Sequence, residues 1–403
     1  MSFPRGDAPG AALASLTELL EGAHRATPDE LGGIVARAGE PFGWDLLCFL
    51  VNFDQETLVP FGPPGTGRVA AIPVSDDGGG LAFRSIRTVH APDGVTWLPI
   101  LDGVERMGVL RVAPRHDGAA PEEHAEALRW ISLLIGHLVA VMTPYGDVIT
   151  QARGGGDRTV EAELLWTLLP PLTYASDDVV VSAVLEPSRR VAGDAFDYAV
   201  QDGLLDVGLF DGTGHDLTSG LLASVALAAY RSHRRRGGSL TDCAKAIDQV
   251  LRTQTDASGY ATGVLLRLDT DTGVLEYVNA GHLHPLLLRD GQVLESLDTS
   301  GRPLFGLGET EVSVGHVQLH HGDQLVLYTD GIPEARDEHG EFFGIERLQE
   351  LLTEHAAGRP PAPELLRLVM RSVLDHQRGQ LQDDATLLLI EWAPGGGAEL
   401  FPA

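Results

Sequence analysis

Cysteine is nearly missing from this chain: Cys48 and Cys243 are the only two in 403 residues. They lie far apart with no paired spacing, which excludes a disulfide framework and a cysteine-built zinc site. Positive charge is scarce as well. Lys245 is the only lysine, and 29 basic residues face 57 acidic ones, a formal charge of −28. Such a surface repels phosphate backbones and anionic lipid, so neither nucleic acid nor a membrane is an expected partner. Long apolar runs are also lacking. The most apolar run, Trp130–Met142, holds His137 and falls short of the roughly 20 residues that span a bilayer. Met1–Gly10 has no basic segment followed by an apolar core, so no signal peptide and a cytoplasmic location are expected. What remains is ordinary globular composition, 43% apolar and 21% charged, over a length that suits two domains.

After a loose leader over 1–12, apolar residues recur at helical spacing over Leu13–Arg25 and Pro28–Ala38. Strands are expected at Asp45–Phe53, Thr57–Phe61, Val69–Pro73, Ser85–His90 and Val95–Leu101, and the Asp102-Gly103 turn leads to a return strand at Met107–Val112. A helix over Pro121–Met142 closes this α+β module, residues 13–145. Its order of elements, above all the hairpin VTWLPILDGVERMGVLRVAP before the long helix, resembles a GAF sensor domain. PAS-type and non-sensory α+β modules fit the pattern too. Cys48, His90 and His137 have no neighbours at ligand spacing, so core and surface roles suit them better than metal binding.

Residues 146–173 read as a linker with a regulatory helix. Gln151–Asp157 is flexible in composition, and Thr159–Leu169 is a short amphipathic helix stopped by Pro170-Pro171. Leu164, Leu165, Leu168 and Leu169 need a partner surface: the following domain, the preceding one, or a second copy of the chain. From 174 to 393 the pattern is many hairpin-linked strands with helices in separated pairs. Strands are expected at Val179–Glu186, Leu204–Phe210, Thr262–Leu268, Val274–Asn279, Pro285–Arg289, Gln292–Ser296, Val312–Leu319, Gln324–Thr329 and Ala385–Trp392, with a turn at Ala199–Asp202. Helices are expected through Leu221–Tyr230, Leu240–Thr253, Gly344–His355 and Pro363–His376. The fold class is α+β, an antiparallel β-sandwich flanked by helices, and 394–403 is a disordered tail.

Four acidic clusters share one grammar in this second domain. They are Ala192-Gly-Asp-Ala-Phe-Asp197, Leu209-Phe-Asp-Gly-Thr-Gly-His-Asp216, Leu325-Val-Leu-Tyr-Thr-Asp-Gly331 and Gln382-Asp-Asp-Ala-Thr386. Alone, Asp211-Gly212 reads as a strand-ending turn. Together, carboxylates confined to strand ends converge at one edge of a sandwich. Hard oxygen donors of this kind suit Mn²⁺ or Mg²⁺ rather than zinc. Two such ions sharing a carboxylate hold a water and clamp a phosphate for in-line attack.

In order and spacing these clusters resemble the metal-dependent serine/threonine protein phosphatases (the PPM family), and within it the SpoIIE-like bacterial branch. Leu168–Pro170, Asn279–His282, Tyr328–Gly331 (with Glu334 following) and Asp383–Thr386 keep the branch's motifs intact. Ala192 replaces a glycine and Asp216 replaces another, neither at a ligand position. The resemblance implies that Asp211 bridges two metals, with the Gly212 carbonyl on one of them. It makes Asp330 and Asp383 complete the second ion and Asp194 hold water on the first. Asp384 ranks below Asp383. Asp197, Asn279, His282 and Gly331 are site neighbours. Asn279 and His282 suit a structural turn at least as well as a chemical role. His215 lies four residues after Asp211, where better-known relatives place a histidine two after, so it is not assigned as the acid. Arg189 and Arg190 are the nearest arginines before the first cluster, and solvated surface is their simpler reading.

The expected function is a Mn²⁺- or Mg²⁺-dependent phosphatase, using two ions, for phosphoserine or phosphothreonine on a partner protein. The resemblance implies a phosphorylated anti-sigma-factor antagonist of STAS type as that partner, with the front domain as sensor of a small-molecule or protein signal. A homodimer through the closing and linker helices is also expected. A catalytically silent phosphoprotein-binding regulator and a hydrolase of small phosphoesters are the alternatives.

Overall fold

The computed structural model describes residues 8–395 apart from 64, 66–68, 117, 155–158, 187–192, 213, 215–216, 255–258, 299–300, 309–310 and 380. Most of the expected tail and of the leader therefore lie outside the described residues. The chain divides into two compact units, the first over residues 1–157 with 399–403 and the second over 158–398.

The first unit opens with α1 (Ala8–Ala23) and α2 (Leu31–Ala38), so the first helix begins earlier than its leucine spacing predicts. Then come β1 (Trp44–Val51), β2 (Thr57–Phe61), β3 (Ile72–Pro73), α3 (Gly79–Ser85), β4 (Val89–His90), β5 (Thr96–Asp102), β6 (Glu105–Pro114), α4 (Ala125–Met142) and α5 (Val148–Ala152). The strands form one antiparallel sheet in the order β3-β2-β1-β6-β5-β4. The expected strand at Ser85–His90 is a correction: Ser85 ends α3, and only Val89–His90 pairs, with β5. Glycine explains the miss. A Cβ at Gly80 would sit 2.4 Å from the Val74 carbonyl oxygen, and one at Gly79 3.0 Å from the Trp97 ring, so the helix forms where only glycine fits beneath its neighbours.

The α4 region is the second correction. With its flanking turns it runs over Pro121–Tyr145, 25 residues, and by length and composition it is long and apolar enough to cross a membrane. In the folded unit one face of it is core: Leu128, Ile131, Ile135 and Val139 pack with Leu98, Ile100 and Leu110 of the sheet. Ser132 adds a hydroxyl bond to the Pro99 carbonyl at 2.7 Å.

The second unit begins with α6 (Val160–Leu168), β7 (Thr173–Ala175), β8 (Val179–Glu186), β9 (Asp194–Gln201) and β10 (Leu204–Gly212). There follow α7 (Leu217–Arg234), α8 (Leu240–Gln254), β11 (Ala261–Asp269), β12 (Val274–Ala280), β13 (Leu286–Arg289), β14 (Gln292–Ser296), β15 (Gly315–Gln318), β16 (Asp323–Tyr328), α9 (Ile345–Ala356), α10 (Ala362–His376) and β17 (Ala385–Trp392). One sheet has the order β15-β12-β11-β10-β9 and the other β14-β13-β16-β17-β8-β7, with every pairing antiparallel. Alternate residues meet between them: Val179, Val181, Ala183, Leu388 and Ile390 from one side, Leu205, Val207, Leu209, Val264 and Leu266 from the other. The outer face of the first sheet packs through Phe210, Leu265 and Val278 on Leu222, Ala226, Ile247 and Leu251 of α7 and α8. With α10 against β8 and β17, the layers run helix, sheet, sheet, helix, as the strand pattern predicts. Because β8 and β17 are covered on both faces, their sequences are mostly apolar rather than alternating.

The α6 helix settles on the unit that follows it. Thr159 caps its start by accepting from the Ala162 amide at 3.3 Å. Leu165 packs with Ala195 and Ala223, Trp166 and Leu169 reach the sandwich core, and Arg231 of α7 donates to the Leu168 carbonyl at 2.6 Å. Leu165, Leu168 and Leu169 meet the following domain, one of the three partners open to them in sequence.

Candidate metal centre

Antiparallel pairing of β9 with β10 sets Asp194 directly opposite Asp211, and Thr262 of β11 flanks Asp211 on its other side. Like charges facing across a ladder destabilise it, so this pair calls for a compensating partner. Asp330 follows the end of β16, and Asp383 and Asp384 precede β17, on the opposing sheet. The two sheets thus bring their carboxylates together at one end of the sandwich. Desolvation, followed by the charges of Asp330, Asp383 and Asp384, pushes the Asp211 carboxyl up to about 8. Desolvation first, then Asp211 and Asp384, also raises Asp194, while hydrogen bonds from Thr329 and Thr386 act the other way. Burial raises Asp330.

Backbone groups complete the edge. The Gly212 amide donates to the Gly193 carbonyl at 2.9 Å, and the Gly193 amide donates to Asp384 Oδ2 at 2.6 Å. A Cβ at Gly193 would stand 3.0 Å from the Gly212 carbonyl oxygen and 3.7 Å from Asp211 Oδ1. Glycine there keeps open a space bordered by two hard oxygens. That space and the mutual repulsion of the carboxylates fit a small divalent cation. Among the described residues no three Asp, Glu, His or Cys side chains form a preformed metal-ligand cluster.

The two acidic residues at 383 and 384 differ in placement. Asp383 is exposed and accepts from the Asp384 amide at 2.9 Å, whereas Asp384 is buried against the Gly193 amide. Gly331 is a steric requirement: a Cβ there would meet the Asp384 carbonyl oxygen at 1.8 Å. It holds the Asp330 and Asp383 segments side by side.

Asn279 and His282 form a turn rather than a reactive pair. Asn279 Oδ1 accepts from the His282 amide at 2.8 Å, its Nδ2 donates to the His282 carbonyl at 3.0 Å, and Gly281 supplies φ +64° between them. His282 Nε2 lies 3.1 Å from the Tyr328 carbonyl, which can only accept, so Nε2 carries the proton and Nδ1 accepts from Thr262 Oγ1 at 2.6 Å. Burial holds this imidazole neutral, at about 4. It therefore joins the two sheets beside Asp330 as a strut. The turn is itself anchored, because Arg302 donates its amide to the Asn279 carbonyl at 2.9 Å and its guanidinium to the buried Asp248 at 2.7 Å.

The geometry separates Asp197 from the others. Of the predicted turn Ala199–Asp202, Ala199–Gln201 are instead the end of β9 and only Asp202 turns; Asp197 and Asp194 thus lie on opposite faces of one strand. Asp197 is buried and salt-bridged to Arg231 at 2.7 Å and Arg234 at 2.6 Å, both on α7. His215, Asp216, Arg189, Arg190 and Ala192 lie outside the described residues. Sequence reasoning missed Thr329 and Thr386, whose only signal was their place inside two of the motifs.

Comparison with known proteins bears on the second unit. The family described as Stage II sporulation protein E (SpoIIE) matches residues 201–393. Protein IcfG of Synechocystis is 25% identical over 239 residues, 52% of this chain and 37% of that protein. Phosphoserine phosphatase RsbU of Bacillus subtilis is 25% identical over 232 residues, 57% of this chain and 68% of its own length. The chain thus spans little more than a third of the first relative. The SiaA-PP2C domain of Pseudomonas aeruginosa shares the fold, with a TM-score of 0.51 at 23% identity, covering 61% of this chain and 100% of that one.

Proposed function

We propose that the chain, whose residues 201–393 match the family described as Stage II sporulation protein E (SpoIIE), is a metal-dependent phosphatase for phosphoserine or phosphothreonine on a partner protein. The observation that carries the proposal is the gathering of Asp330, Asp383 and Asp384 about Asp211, whose carboxyl is pushed up to about 8 by burial first and by those charges second. A fold tolerates such a concentration of buried negative charge where a cation offsets it. Mn²⁺ or Mg²⁺, when bound, supplies that charge, polarises the phosphoryl group and activates a water. Asp194, Asp211, the Gly212 carbonyl, Asp330 and Asp383 are the residues that would hold two such ions.

What the chain's own groups do follows from their placement. Asp211 and Asp194 are held rigidly by the β9–β10 ladder. Gly193 leaves room for the phosphoryl oxygens or ions beside Asp211. His282, fixed as the neutral tautomer by its two partners, gives structure and no proton. No proton donor to the leaving alkoxide is assigned.

The partner we propose is a phosphorylated anti-sigma-factor antagonist of STAS type. Support comes from the motif resemblance and from the likeness to RsbU, a phosphoserine phosphatase by name. The first unit we propose as a GAF-like sensor acting through α6, in a cytoplasmic homodimer. The test is phosphate release from a phosphoserine protein by the purified chain with Mn²⁺. Asp211→Asn and Asp330→Asn should each remove activity with the fold intact, and a wild-type chain that binds no Mn²⁺ and releases no phosphate overturns the proposal.

A further inference from the structure

Asp194 is held by two hydroxyls that no ligand scheme so far requires. Thr329 Oγ1 and Thr386 Oγ1 both donate to Asp194 Oδ2, each at 2.6 Å. All three side chains are buried, at 0%, 0% and 3% exposure. The two threonines are also joined to each other, since the Thr386 amide donates to Thr329 Oγ1 at 3.0 Å and the Thr329 amide to the Thr386 carbonyl at 3.2 Å. A β-branched residue suits either strand, but valine would serve there equally well. A hydroxyl buried without a partner costs free energy, and here both find one partner, on the other sheet.

We infer that Thr329 and Thr386 are positioning residues that latch Asp194 and thereby set the spacing of the two sheets at the metal centre. Each hydroxyl has one hydrogen to give, and both are directed at Oδ2. The rotamer of Asp194 is fixed and Oδ1 is left as the oxygen available to a cation. Asp194 starts β9, Thr329 follows β16 and Thr386 lies near the start of β17. One carboxylate oxygen therefore ties the strand pair that carries Asp211 to the strand pair that carries Asp330 and Asp383. The link from the Gly193 amide to Asp384 Oδ2 reinforces it one residue away.

The inference rests on the metal-centre reading for its consequence, but the latch has a readout of its own. Thr329→Val and Thr386→Val keep the shape and remove the hydroxyl, and the serine variants at both positions keep the hydroxyl. In the full chain without metal, amide hydrogen exchange at Gly193 and Gly212 should quicken roughly tenfold or more in the valine variants and return near wild type with serine. Titration with MnCl₂ by calorimetry should show affinity weakened about 10- to 100-fold with valine, the range for outer-shell partners of metal ligands, again restored by serine. Turnover should fall with little change in KM. Unchanged exchange in the valine variants, or serine variants as defective as valine, overturns the latch. A wild-type chain that binds no Mn²⁺ but shows the exchange pattern overturns the phosphatase reading and leaves the latch standing.

Discussion

Replacing Asp211 with asparagine should make the metal-free protein more stable while removing its activity. The reason is electrostatic. Asp211 is pushed from the ordinary 3.8 to about 8 by desolvation and by Asp330, Asp383 and Asp384. Its folded value lies above its unfolded one, so its contribution to stability is complete at low pH and is lost as pH rises through about 8. At pH 7 about three pH units separate the medium from the ordinary value, and each is worth about 1.4 kcal/mol. The folded chain therefore carries on the order of 4 kcal/mol of strain at this carboxyl, and asparagine, which never ionises, should recover roughly 2–4 kcal/mol of it. For a unit of this size that corresponds to about 5–10 °C in Tm. Between pH 6.5 and 8 wild type should lose roughly 1.5 kcal/mol that the variant keeps. The assay is urea and thermal unfolding in EDTA across that range. An asparagine variant that is less stable than wild type, or that loses stability with the same pH slope, would refute the reasoning.

Other expectations follow from single contacts. His282, neutral down to about 4, takes up no proton where the unfolded chain does, so stability should fall by up to about 3 kcal/mol as pH drops from about 6.5 to about 4; His282→Gln should flatten that limb in denaturation curves. Gly331→Ala drives a methyl into the Asp384 carbonyl and should cost about 3 kcal/mol or more, together with Mn²⁺ binding, by unfolding and calorimetry. Arg234→Met leaves buried Asp197 with one of its two partners and should destabilise by roughly 2–4 kcal/mol, whereas Asp197→Asn should leave Mn²⁺ affinity of the folded protein unchanged. Chelation should abolish phosphate release, and Mn²⁺ or Mg²⁺ should restore it.

Much of this was legible in sequence because burial leaves a mark on composition. Val179–Glu186 and Ala385–Trp392 are sandwiched between a sheet and a helix, so their apolar runs marked β8 and β17 to the residue. The acidic clusters were legible because each abuts such a strand. The course of β9 was not. Its second half carries exposed and half-buried residues that imitate a turn, and its inward charge, Asp197, is answered by Arg231 and Arg234 more than thirty residues downstream. The roles of Thr329 and Thr386 were hidden for a related reason. A threonine in a strand looks like any β-former until the carboxylate it holds arrives from the other sheet.

The docking of α6 bears on how this chain can be cut. Leu165 and the Leu168 carbonyl are already part of the second unit's packing. A fragment trimmed to begin at β7 would strip an apolar cover from α7 and leave Arg231 with only Asp197. The smallest portion able to stand alone, or to be transplanted behind a different front module, starts at the cap Thr159. The natural seam for recombination is the short glycine stretch before that cap, and any new module spliced there inherits the helix as part of the second unit rather than as its own tether.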